Sequence, residues 1–162
     1  MWGKVGQSET LWENPLPVFR GRFRHTLDDK GRLSIPTKFK DTSKLKDQPC
    51  LVVTNHINCL WAFGRDDWRI IEDKISNLPL MDNAVNSFRR YFISGAHECP
   101  VKQGRITLPP DLREIAGLQK DVMLVGNLKY FEIWDKDRWD NEFNRARGDF
   151  QESSQILADL GI

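Results

Sequence analysis

Arg20, Arg22 and Arg24 alternate along one short stretch, and Lys30 and Arg32 follow directly after a turn sequence. Residues two apart on an extended strand share a face and lie ~6.6–6.8 Å apart, so three guanidinium groups are presented together. Guanidinium forms paired hydrogen bonds to phosphate oxygens and to O6 and N7 of guanine, and a two-stranded ribbon fits the major groove of DNA. The chemistry on offer is therefore anion gripping and base reading. The competing use of these arginines is to pair with acids across a sheet. Residues 18–46 hold nine Lys/Arg against three Asp, which leaves few acids for that role nearby.

The formal charge of the whole chain is only +1, so the basic stretch sits on an otherwise acidic body, an arrangement that favours a polyanionic partner. The cationic motif also has a second copy. Gly31 opens GRLSIPTKF and Gly104 opens GRITLPPDL, an offset of 104 − 31 = 73. Residues 51–68 then align without a gap on residues 122–139, at an offset of 71. A β-rich unit has been duplicated, with an Arg following the turn glycine in each copy: Arg32 in the first and Arg105, near Lys102, in the second.

The elements that must carry these residues follow from periodicity. In residues 19–27 the alternation puts Phe19, Phe23 and Leu27 on one strand face and the arginines on the other. Asp28-Asp29-Lys30-Gly31 is turn chemistry, and Arg32 to Ile35 resumes alternation with Leu33 and Ile35 inward. This predicts a β-hairpin with an Arg-rich outer face. Pro36 ends it, and a short helix follows over residues 37–45. Residues 51–54 and 60–63 form a second hairpin. Asp66 or Asp67 caps a helix whose apolar positions are Trp68, Ile71, Ile75 and Leu78, stopped by Pro79. A linking helix is expected over residues 82–92. The second repeat predicts strands at 105–108, 122–125 and 131–134, a short helix at 111–116 ending at Gly117, a helix over 135–147, and a weakly helical tail that frays.

Other candidate chemistry is thin. His56-x-x-Cys59 and His97-x-Cys99 contain zinc-ligand types, but the second-copy counterparts of His56 and Cys59 are Asn127 and Tyr130. These thiols read better as small buried hydrophobes. Trp61, Trp68, Trp134 and Trp139 lie in apolar stretches at core spacing. The chain lacks a nucleophile elbow, a paired-carboxylate arrangement and a nucleotide fingerprint, so no catalysis, metal or cofactor is expected. Three cysteines without CxxC spacing, no apolar run near ~18 residues and no readable signal peptide predict reduced thiols in a cytoplasm.

Residues 19–41 (FRGRFRHTLDDKGRLSIPTKFKD), with GRITLPPDLREIAGL at 104–118 and VMLVGNLKYFEIWDKDRW at 122–139, closely resemble MraZ, the bacterial regulator of the division and cell-wall gene cluster. The resemblance covers residues 18–162. It implies a mainly β fold with α (α+β), a double-split swapped-hairpin β-barrel of two SpoVT-AbrB-like halves with flanking helices, assembled into rings. It also implies a transcriptional repressor, cytoplasmic and nucleoid-associated, that binds G-rich direct repeats in double-stranded DNA upstream of its own operon and does not engage a membrane. The family's Asp-x-Lys-Gly-Arg motif falls on Asp28, Lys30, Gly31 and Arg32, and its opening Phe-Arg-Gly on Phe19, Arg20 and Gly21. The second copy is one residue short, with Val101 where the Asp would stand, so Arg32 is the stronger DNA contact and Arg105 the weaker. The expected DNA-binding set is Arg20, Arg22, Arg24, Lys30, Arg32, Lys102 and Arg105, with Asp28, Gly31 and Gly104 shaping the turns. A ring-forming scaffold whose arginines bind acidic proteins is the alternative.

The expected organisation is an N-terminal extension at 1–17, repeat 1 at 22–69, repeat 2 at 94–137 and a helical tail at 138–162. Val18 stands where family members carry the initiator Met, and a GTG codon there would serve as a start. Reverse translation of Trp2-Gly3 and Trp12-Glu13 gives TGGG at nucleotides 4 and 34. That spacing of 34 − 4 = 30 is about three turns of B-DNA. Residues 1–17 are therefore expected to be disordered or a start-site artefact, in the latter case the operator read as protein.

Overall fold

The structure, a computed structural model, describes residues 18–162. The expectation for residues 1–17 lies outside the described residues. In chain order the elements are β1 (Arg22–Thr26), β2 (Arg32–Ser34), α1 (Thr37–Lys40), α2 (Ser43–Lys46), β3 (Cys50–Asn55), β4 (Leu60–Gly64) and α3 (Arg65–Ser76). The link is α4 (Asn83–Phe88), running into a π-helical turn (Arg89–Ile93). There follow β5 (His97–Pro100), β6 (Arg105–Thr107), α5 (Pro110–Ala116), β7 (Asp121–Asn127), β8 (Tyr130–Asp135), α6 (Lys136–Ser153) and α7 (Gln155–Asp159). The chain is mixed α+β with antiparallel strands. Among the described residues no helix is long and apolar enough to cross a membrane.

Six strands form one sheet in the order β1-β7-β8-β4-β3-β5, and β2 and β6 form a separate ribbon. Exchanging each strand for its counterpart in the other repeat reverses the six-strand order onto itself. A local twofold therefore passes between β8 and β4. The edge strand of each repeat pairs with the other repeat: β1 lies beside β7 and β5 beside β3. The ribbon likewise takes one strand from each. The six-stranded sheet runs from β1 to β5 without closing on itself.

This interlocking corrects the expectation of a β1–β2 hairpin. The two strands share only the Leu27↔Leu33 bridge before parting, β1 into the large sheet and β2 into the ribbon. The alternating pattern specified which side chains turn inward, and it is equally satisfied by either partner. Leu33 and Ile106 face each other across the ribbon, and both are buried in the main core with Ile35, Phe39, Leu51, Leu60 and Phe131.

The large sheet is covered on both sides, which explains the near-continuous apolar run of β3. Leu51 and Val53 enter the main core, while Val52 joins Phe63, Trp68 and Phe92 in a second cluster under α3 and the π-helical turn. Trp134, Met123 and Cys59 form a third cluster with Trp139 of α6 packed against it. The four sequence-selected tryptophans are thus packing residues, two buried and two half-buried.

Helix ends differ in detail from expectation. Gly64 occupies the N-cap of α3 and has no side chain with which to cap it; Asp66 and Asp67 lie in the first turn instead, Asp67 paired with the Lys44 ammonium of α2. Asp82 and Asp135 do cap, accepting from the amides of Val85 and Arg138. The stretch expected to be one helix over 37–45 is two single turns with Asp41 at the C-cap of the first. The last long helix extends to Ser153 instead of stopping at 147.

Candidate nucleic-acid interface

The first turn is built around one carboxylate. Asp28 Oδ1 accepts from the amides of Lys30 at 3.0 Å and Arg32 at 2.8 Å, and Oδ2 accepts from Arg32 Nε at 2.6 Å. The amide bond from Arg32 is the leading reason that the Asp28 carboxyl lies below its ordinary value, helped by the guanidinium itself. Backbone bonds from Asp28 N to Arg32 O and from Gly31 N to Asp28 O close a turn of three residues, with Gly31 at φ 81°. A β-carbon is poorly tolerated at that angle. The result is an arginine whose backbone amide and Nε are both held by Asp28.

The second turn lacks this device. Lys102 and Arg105 exchange both backbone bonds, at 2.8 and 3.0 Å, enclosing only Gln103 at φ 52° and Gly104 at φ 74°. That is a two-residue turn with positive φ at both centres. It is one residue shorter than the first, and Val101 supplies no acceptor for Arg105. Instead the Val101 amide donates to Pro49 O at 2.8 Å.

The ribbon brings the two turn arginines onto one surface. Arg32 lies opposite Thr107 and Arg105 opposite Ser34. With Leu33 and Ile106 buried between them, Arg32, Ser34, Arg105 and Thr107 all turn away from the core. His25 ties this ribbon to the large sheet, its Nδ1 2.7 Å from Ser34 O and 2.8 Å from Ser34 Oγ. The carbonyl only accepts, so Nδ1 carries the proton. Sequence reasoning passed over His25, although its position directly after Arg24 on β1 placed it on the face opposite the arginines.

The arginines that the sequence grouped are separated by the fold. Arg22 and Arg24 stay on β1 in the large sheet, beside α6. Arg22 sits over the Phe143 ring at 4.9 Å, and Arg24 pairs with Asp121 at 3.4 Å. A groove beside Arg24 is lined by four aspartates, Asp121, Asp135, Asp137 and Asp140, and by Lys120 and Lys136. Arg20 is exposed just before β1, and Lys30 and Lys102 are exposed at the two turns. The structure therefore groups Arg32 with Arg105 and Lys30 with its turn, and it does not place Arg22 or Arg24 on the ribbon.

Of the candidate His/Cys residues Cys59 and Cys99 are buried, while His97 Nε2 lies 3.4 Å from Asp111 Oδ2. His56 stacks on Trp61 at 3.8 Å, and burial pushes its imidazole below the ordinary value. Cys59 is buried beside Glu132, and burial pushes the Cys99 thiol up to about 12. Among the described residues no three His, Cys, Asp or Glu converge as a metal site.

The family described as "MraZ protein, putative antitoxin-like" matches this chain twice, at residues 18–91 and 92–159. Curated relatives named "Transcriptional regulator MraZ" align over 147 residues, 90% of this chain. One from Natranaerobius thermophilus is 41% identical over its full length. Those from Clostridium beijerinckii and Syntrophobacter fumaroxidans are 41% and 42% identical, over 100% and 98% of their lengths.

Proposed function

Since the chain belongs to the MraZ family, we propose that it is a transcriptional regulator that binds double-stranded DNA through the two turns flanking the β2–β6 ribbon. Arg32, fixed by Asp28 on an outward surface that also carries Arg105, is the observation on which this rests. A guanidinium whose orientation is set before binding loses less freedom on meeting a guanine edge or a phosphate. Lys30, Lys102 and Arg20 add phosphate contacts around it. Arg22 and Arg24 contribute to the long-range positive field more than to direct contact, given their partners on α6 and β7.

The finer reading is a cytoplasmic, nucleoid-associated repressor of the division and cell-wall gene cluster, its own operon included. It recognises G-rich direct repeats and acts as a ring, so that several modest contacts add through avidity. Units 22–69 and 94–137 carry one turn each, and 138–162 packs as a helical tail. Pairing of β1 with β7, β5 with β3 and β2 with β6 supports a swapped-hairpin architecture, in which two split halves complete one another. Such a protein needs no catalytic group.

Fluorescence anisotropy with a duplex taken from upstream of this gene, against a scrambled duplex of equal composition, tests the reading. Tight, salt-sensitive binding that favours the upstream duplex is expected. Equal, weak binding to both would sink sequence-specific recognition.

A further inference from the structure

Lys40 and Arg113 are equivalent residues of the two repeats, since 113 − 40 = 73 is also the offset of the turn glycines. Each lies on the short helix after its own ribbon strand, and each reaches over the turn of the other repeat. A β-carbon built on Gly31 would lie 2.9 Å from both Cζ and Nε of Arg113. One built on Gly104 would lie 2.9 Å from Lys40 Nζ. Both cations are half-buried. Among the described residues neither forms an ion pair. Among the described residues Arg113 Nε is buried without a hydrogen-bond partner.

Resting on the DNA-binding reading above, we propose that Arg113 and Lys40 are DNA-phosphate ligands, each completing the contact turn of the opposite repeat. A half-buried cation with unspent donors is costly in the free protein, and a phosphate oxygen arriving at the turn would satisfy it. Asp28 and Asp29 line the groove beside Arg113, along with Lys120, but the Asp28 carboxylate is already engaged by Arg32. Phosphate contacts fix register without reading sequence, which suits residues set behind the turn glycine. The glycines then have two jobs: positive φ, and leaving room for the cation. Neither repeat holds a complete contact site by itself.

Salt titration of DNA binding tests this, using Arg113→Met and Lys40→Met, which keep an aliphatic stem, and Arg113→Lys, which keeps the charge. The probes are the upstream and scrambled duplexes, measured between 50 and 200 mM salt, with thermal melting of each variant. Each Met variant should lower the slope of log affinity against log salt by about 0.9, making the affinity loss across that range about 3.5-fold smaller on both duplexes. Arg113→Lys should retain the slope. Unchanged slopes in the folded Met variants overturn the proposal, as does a loss confined to the upstream duplex, which would mean base reading. Should Arg113→Met not fold, Lys40→Met decides by the same criterion. Wild-type protein that binds neither duplex would instead overturn the DNA-binding reading itself.

Discussion

The carbonyl of Gly31 accepts a 2.8 Å hydrogen bond from the amide of Leu108, and its counterpart Gly104 accepts one of 2.9 Å from Ile35. Each turn is therefore anchored to the strand of the opposite repeat. The ribbon between them, with Leu33 across from Ile106, is held at both ends by the residues that shape the contact turns. Surface chemistry at Arg32 and Arg105 is coupled in this way to the burial of the two halves against each other.

Arg32→Ala should leave melting within about 0.5 kcal/mol of wild type, because the side chain is outside the core. It should reduce discrimination between the upstream and scrambled duplexes by about 1–3 kcal/mol, the worth of a bidentate base contact. Arg105→Ala should have the smaller effect, since Val101 stands where the first turn has Asp28 and no carboxylate among the described residues orders that arginine. Competition binding measures both. The reverse ranking would exchange the roles of the two turns.

Asp28→Asn should weaken specific binding while Arg32 is still present, because an amide holds the guanidinium less firmly than a carboxylate. The Asp28 carboxyl is depressed from the ordinary value of 3.8, chiefly by the Arg32 amide. Its contribution to folding is thus complete above that value and disappears as pH falls through the lower folded-state value. Turn geometry should be constant from pH 5 to 8 and change only in acid. Carboxyl NMR titration of Asp28 reads this directly, and a midpoint above 3.8 would refute the clamp.

Leu33→Ala should destabilise the protein by about 2–5 kcal/mol through the cavity it leaves. Leu33→Asp should prevent folding, as it puts an unpaired carboxylate opposite Ile106. Thermal or urea melting distinguishes these outcomes. An undiminished transition in the Asp variant would contradict the inward orientation.

Neither residues 18–91 nor residues 92–162 should fold alone, because β1 without β7, and β5 without β3, each lose the neighbour they have among the described strands of the large sheet. Mixed together, the two pieces should regain β-sheet circular dichroism with a concentration-dependent midpoint. Independent cooperative unfolding of either piece would show that the interlocking is dispensable.

Much of this protein is legible along the chain. Period-two alternation placed Leu33 and Ile35 inward, turn chemistry located Gly31 and Gly104, and Gly117 marked the end of α5, where it takes φ 63°. These are local matters, decided by sterics and solvation within a few residues. Partner choice is not local. Alternation states which face of β1 is buried but is satisfied equally by β2 or β7, and only the packing of both repeats around one core selects β7. The same choice carried Arg22 and Arg24 to Phe143 and Asp121, paired Asp67 with Lys44, and set Arg113 over Gly31. The sequence by itself determined the duplicated unit and its two turns. Which cations share a surface was decided by the tertiary structure, because that depends on contacts between residues tens of positions apart.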